Sequence, residues 1–336
     1  MNNGYVPPFT VTEGIISLVA DIAEAVGHLT AKAGSLPSPQ LRKQNRIKTI
    51  QSSLAIENNS LSLEQVTAIL EGKRVLGAPN EIQEVRGAID AYNLLLELDP
   101  YKEKDLLRAH RLMMAGLVKE NGRYRSGGVG VFGESGLVHL APLAMRVPQL
   151  MGDLLTWAKT TKVHPLIRSC VFHYEFEFIH PFADGNGRMG RMWQTLILMD
   201  WNPIFAWIPV ETIVKEHQQQ YYAAIAQSDQ EANSTAFIRF MLECLKETVS
   251  TLIKEQEEAK STPINTPKST PISRLSGTPK RICELIIATP TISVTQLANL
   301  LSLNRRGVMK HMQNMQEQGI IRRVGPNKGG HWEVVS

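Results

Sequence analysis

Within His180-Pro-Phe-Ala-Asp-Gly-Asn-Gly-Arg-Met-Gly-Arg191 stand a base, a carboxylate, a Gly-Asn-Gly turn and two arginines. That is most of what phosphoryl or nucleotidyl transfer requires. A histidine within reach of a hydroxyl can take its proton. Asp184 beside it suits Mg²⁺, which prefers oxygen ligands and shares them with substrate phosphates. Gly185 and Gly187 let backbone N–H groups approach an anion with no Cβ in the way. Arg188 and Arg191 add forked donors for phosphate oxygens.

Those residues need two rigid elements to hold them. From Pro165 to Ile179 the apolar residues Leu166, Val171, Tyr174 and Phe178 recur at a helical period. Pro181 ends that pattern, because it has no N–H to donate and disfavours helix in the residue before it. Arg188 to Met199 is again helical and mostly apolar. The loop between is therefore predicted to deliver its amides at a helix N-terminus, where unpaired donors and the dipole attract phosphate. His173, Glu177 and His180 share one helical face, but a di-iron bundle needs a second Glu-x-x-His with further glutamates. His173 and Glu177 are read as packing residues, and no permanent transition metal is expected.

The segment resembles the Fic-domain signature, His-x-Phe-x-(Asp/Glu)-Gly-Asn-Gly-Arg-x-x-Arg, at every specified position. The resemblance implies a mainly α fold, a Fic-type helical bundle with a β-hairpin flap, that moves AMP from Mg·ATP to a Tyr, Thr or Ser hydroxyl of a protein. On that reading His180 is the base and Phe182 anchors the loop in the core. Asp184 holds Mg²⁺, Gly185, Asn186 and Gly187 cradle phosphates, and Arg188 and Arg191 hold the outer ones. Related sites transfer phosphate or other nucleotides, and the base is not legible here.

Far upstream, Ser53-Leu-Ala-Ile-Glu57-Asn58-Asn59 is similar to the inhibitory motif of Fic proteins, (Ser/Thr)-x-x-x-Glu-(Gly/Asn)-Asn. Leu41 to Glu57 reads as a basic amphipathic helix that Asn58 and Asn59 stop, since Asn tolerates a left-handed conformation. Ser62 with Gln65 forms a capping box for the next helix, and Gly72 closes it. The resemblance implies that Glu57 pairs with Arg191, with Ser53 and Asn59 belonging to the same motif, so that ATP binds unproductively. In the family this glutamate can also serve AMP removal. Holding an enzyme 99% off takes only about 2.7 kcal/mol.

Between the motifs, Val129, Val131 and Phe132, then Leu137, Val138 and Leu140, flank Gly-Glu-Ser-Gly as a β-hairpin would. Its position matches the family's flap, which pairs with an extended target segment; Val138 and His139 are the flap residues to watch. The segment from Tyr221 to Asp229 is the expected cover for the adenine.

The 336 residues carry a net charge of +4 and three widely spaced cysteines, which argues against a disulfide framework and fits a reducing, cytoplasmic setting. The N-terminus lacks a signal-peptide profile and no run of about 18 apolar residues suggests a membrane span. Four regions are expected: an N-terminal helical region with the inhibitory helix at 1–100, the catalytic core at 101–254, a charged helix end with a Pro/Ser/Thr linker at 255–277, and a winged helix-turn-helix at 278–336. That last region holds eight lysines and arginines against three glutamates, so the positive charge is local. Arg305, Arg306 and Lys310 stand where a recognition helix contacts DNA, and Arg322, Arg323 and Lys328 where a wing reaches phosphates. Such tails also serve as dimer or partner modules, so a homodimer stands beside DNA binding as an expectation. The rival to an adenylyltransferase that also modifies itself and an unidentified target is a DNA-binding transcriptional regulator whose Fic domain senses nucleotide.

Overall fold

The structure, a computed structural model, describes residues 5–33, 39–133, 136–261, 278–288, 292–301, 303–317, 320–324 and 331–334. The chain divides into two compact units, Met1–Lys254 and Glu255–Ser336.

The first unit is helical: α1 (Glu13–Ala33), α2 (Pro39–Ile56), α3 (Leu63–Leu70), α4 (Pro79–Asn93) and α5 (Glu103–Met113) precede the antiparallel hairpin β1 (Gly130–Gly133) and β2 (Gly136–Leu140). After it come α6 (Val147–Thr160), α7 (Pro165–Ile179), α8 (Asn186–Trp201), α9 (Val210–Glu216), α10 (Gln218–Glu231) and α11 (Thr235–Ser261), the last continuing past the unit's end at Lys254. One continuous apolar core runs through it, in which Phe172 and Phe176 of α7, Phe182 of the loop that follows, and Met192 and Trp193 of α8 are all fully buried. Burying each such side chain contributes about 1.5–3 kcal/mol, which makes this helix pair the rigid frame of the unit.

Local chemistry sets where the helices begin and end. Pro165 occupies the first turn of α7, where a missing N–H costs nothing, and the His164 side chain accepts from Leu166 N–H. At its other end His180 turns left-handed, at φ 50° and ψ 60°, its N–H still bonded to the Phe176 carbonyl. An L-residue there is strained by roughly 1–2 kcal/mol. Gly185, at φ 83°, then opens α8 in a conformation that costs glycine nothing. Asn58, at φ 66°, stops α2, and the Ser62–Gln65 capping box opens α3.

The second unit has its own small core of Ile282, Cys283, Ile286, Leu297, Val308, Met312, Met315 and Ile321. It consists of α12 (Thr278–Ala288), α13 (Val294–Leu301), α14 (Arg305–Glu317) and the antiparallel pair β3 (Ile321–Val324) and β4 (His331–Val334). Ser293 accepts from Gln296 N–H to cap α13, and Asn304 accepts from Gly307 N–H to cap α14. The linker expected to follow the end of α11 falls on 262–277, outside the described residues, as does Lys328. Among the described residues no helix is long and apolar enough to cross a membrane.

Candidate active site

The loop between α7 and α8 is closed by a reciprocal pair: Phe182 N–H donates to Asn186 Oδ1, and Asn186 Nδ2 donates to the Phe182 carbonyl, both at 2.9 Å. Asn186 is buried, so its amide shapes the loop from within. Phe182 fills the core beneath, stacked on His110 with ring centroids 3.7 Å apart. His180, half-buried, lies at one lip of the loop and Asp184, whose side chain is 58% exposed, at the other.

His180 Nδ1 sits 3.3 Å from the Glu177 carbonyl. A carbonyl oxygen can only accept, so that contact puts the proton on Nδ1 and leaves the Nε2 lone pair free. Glu177 and His173 lie behind it on α7. His173 is fully buried, 2.7 Å from Gln194 Oε1 and 3.1 Å from the Tyr221 hydroxyl, with Glu177 at 3.7 Å. Burial first, then the Glu177 charge, pushes the Tyr221 hydroxyl well above its ordinary range. Tyr221 is thus a core residue behind the loop, whereas Tyr222 is exposed and donates to the Ile56 carbonyl.

Both arginines are sunk beside the loop. Arg191 donates from Nε to Ser53 Oγ at 3.1 Å, and from Nη2 to the Ser53 carbonyl at 3.0 Å and Glu57 Oε1 at 2.7 Å. Its side chain is 2% exposed. Burial alone would weaken its hold on a proton; the Glu57 charge and hydrogen bond, together with Tyr221 and Glu177, more than offset that and hold the guanidinium above its usual range. Gly187 makes the approach of Glu57 possible, since a Cβ there would collide with Glu57 Oε1. Arg188, 4% exposed, has Asp184 Oδ1 at 3.4 Å and Glu84 Oε1 at 3.6 Å, while its Nε and Nη1 have no hydrogen-bond partner among the described residues. A buried fork with unspent donors is set to receive an anion.

Four residues that sequence reasoning passed over complete the site. Glu84, on α4, faces Arg188 and accepts from Asn59 Nδ2 at 2.8 Å, so the end of the Ser53–Asn59 segment is fastened to the counter-ion of Arg188. Gln218 Nε2 secures the same segment from α10 through the Ile56 carbonyl at 2.9 Å. His110 accepts from Gly122 N–H at 2.9 Å and lies 3.0 Å from the Asp184 carbonyl. Arg125 donates to the His180 carbonyl. For His110 the sequence signal is a polar residue on an otherwise apolar helix face, Leu106-Ala109-His110-Met113.

Burial, partly offset by the bond to the Asp184 carbonyl, pushes the His110 imidazole down to about 4. An unfolded histidine binds its proton near pH 6.5, so from pH 6.5 down to 4 the unfolded chain takes up the proton first. Stability present above pH 6.5 is therefore expected to be lost across that window, by about 3 kcal/mol. Urea unfolding at pH 7 and pH 4.5 reads it, and His110→Phe, which keeps the stack on Phe182, should flatten the difference. An unchanged pH slope in that variant would contradict the assignment.

In β1–β2 the backbone register pairs Val131 with His139 and Phe132 with Leu137, skipping Val138. The side chains of Val138 and His139 lie outside the described residues. In the second unit Arg305, Arg306 and Lys310 are exposed on α14, opposite the buried Val308, Met312 and Met315. Arg322 is engaged by Glu333 at 2.6 Å, and the Arg323 guanidinium lies over the Trp332 ring.

Residues 100–198 match the Fic/DOC family model, and residues 275–322 match a model described as winged helix-turn-helix DNA-binding. The fold resembles the crystal structure of a Fic family protein from Desulfovibrio desulfuricans G20, with a TM-score of 0.74, 44% identity and 98% of each chain covered. A Fic-1 fragment from C. elegans, 22% identical over 73% of this chain and 74% of that one, shares the fold at a TM-score of 0.58. Proteins named Protein adenylyltransferase Fic from Aedes aegypti and Nematostella vectensis are each 30% identical, over 62% and 65% of this chain. The alignments span 42% and 51% of those proteins, so the chain matches about half the length of these curated relatives or less.

Proposed function

The chain belongs to the Fic family, and on that premise we propose that it is a protein adenylyltransferase that moves AMP from ATP to a Tyr, Thr or Ser hydroxyl of a protein. One observation carries the reading: a half-buried histidine and a carboxylate flank a loop backed by two buried guanidiniums, of which Arg191 is held closely by the Glu57 carboxylate. The target oxygen attacks the α-phosphorus while its proton passes to His180 Nε2. The bond from that phosphorus to the β-bridging oxygen breaks, and pyrophosphate leaves. Arg188 and Arg191 would hold the outer phosphates, and the amides opening α8 would face them. Proton transfer by a placed base contributes roughly 10²–10⁴ in rate.

Mg²⁺ fits the residues present. Asp184 offers one largely exposed carboxylate at the loop, suited to an ion held mainly through phosphates and water. When bound, the ion would neutralise phosphate charge during transfer. The Glu57–Arg191 pair supports a resting state in which the guanidinium meant for the terminal phosphate is occupied by the chain's own carboxylate. The thiols of Cys170, Cys244 and Cys283 are buried, which suits a reducing, cytoplasmic setting. The direct test supplies ATP labelled at the α- or the γ-phosphate. Adenylyl transfer retains only the α-label on protein; retention of the γ-label would mean phosphoryl transfer instead.

A second reading concerns the winged helix-turn-helix domain and rests on the exposed Arg305, Arg306 and Lys310 at the start of α14. If these three contact phosphates, binding of the full chain to a short duplex should weaken with salt, with a log–log slope of about −3. Replacing all three by alanine should remove it. Absence of any binding at low salt would leave this domain to a protein partner.

A further inference from the structure

Arg125 lies in the loop before β1 and is 3% exposed. Its donors go to main-chain carbonyls: Nε to His180 at 2.7 Å, Nη1 to Gly127 at 2.9 Å, and Nη2 to Pro142 at 2.6 Å and Ile179 at 3.3 Å. Its own N–H donates to the Pro181 carbonyl at 3.0 Å. Gly127 leads into β1 and Pro142 leads out of β2. Ile179 and His180 are the last carbonyls of α7, which have no partner within the helix and attract a cation. One side chain thus joins both feet of the hairpin to the end of the helix that carries the base.

The His180 backbone needs such a partner. It is left-handed, a conformation that L-residues leave unless the surroundings hold them. We propose that Arg125 is a positioning residue that sets the reactive histidine and the target-docking hairpin in one frame. It holds His180 in its left-handed turn and fixes both feet of β1–β2 to it. The proposal rests on the reading of His180 as base and of the hairpin as the target's platform. Only a rigid planar fork spans carbonyls on three sides, so lysine is not equivalent here. The two arginines proposed for ATP stand on α8, apart from this network, so the effect should fall on the target and the chemistry rather than on nucleotide affinity.

The test compares full-length wild-type protein with Arg125→Lys and Arg125→Gln. Amide exchange in 128–133 and 136–141 should quicken by about tenfold or more, while the amides of α7 and α8 stay protected. The His180 ring resonances should shift. In a Glu57→Gly background kcat should fall about 100-fold with the KM for ATP within about twofold. Unchanged hairpin exchange and ring shifts would overturn the proposal. So would a general loss of protection in α7 and α8, or an equal loss in ATP affinity, because either makes Arg125 a merely structural residue. If the Glu57→Gly parent transfers no AMP, the adenylyltransferase reading fails, and hairpin exchange with the His180 shifts still decides the clamp.

Discussion

Replacing His180 by alanine is expected to lower AMP transfer by about 10²–10⁴-fold while the protein stays folded. The ring is half-buried and, among the described residues, its one contact of hydrogen-bond length is to the Glu177 carbonyl, so its removal opens no cavity in the core. The remaining cost is conformational. Alanine at φ 50° is strained much as histidine is, and asparagine tolerates that region better. His180→Ala and His180→Asn should therefore be equally inactive but differ in stability by less than about 1 kcal/mol. Melting curves and label transfer on the same preparations separate the two effects. Full transfer by a folded His180→Ala protein would remove the histidine from the mechanism.

The second large effect has the opposite sign. On the proposed resting state, Glu57→Gly should raise transfer by roughly 10- to 100-fold, because one charge-assisted contact of 2.7 Å engages Arg191, and each 1.4 kcal/mol is a factor of ten. The variant should remain folded. Arg191 keeps two hydrogen bonds to Ser53, so the buried guanidinium is not left without partners when the carboxylate goes. Glu57→Gly combined with Arg191→Ala should lose the gain, since the freed residue is then absent. If the double variant kept the full gain, Glu57 would be acting on something other than Arg191.

The sequence was most informative where chemistry and chain-breaking residues coincide. Pro165 and Pro181 mark the ends of α7 and Gly185 the start of α8, and the Fic-like signature runs from the end of α7 into α8, so the local frame of the site was readable. The same holds for Asn58 and the Ser62–Gln65 box, which bound the segment carrying Glu57. What local pattern cannot carry is convergence. Glu84 and His110 lie on helices whose spacing tells only which face is buried, and their partners, Arg188 and the Asp184 carbonyl, are about 75 to 105 positions away. Arg125 sits in a stretch that read only as the approach to a hairpin. Its acceptors are backbone carbonyls, which have no sequence signature. The inward turn of Asn186 also came from the fold, because a Gly-Asn-Gly triplet looks the same whether its amide faces an anion or the loop's own backbone.

The most direct measurement is the intact mass of wild-type, Glu57→Gly and Glu57→Gly/His180→Ala proteins after incubation with Mg·ATP. The account requires a gain of one AMP, larger in Glu57→Gly than in wild type and absent from the double variant. No gain in Glu57→Gly, or an equal gain in the double variant, would contradict it.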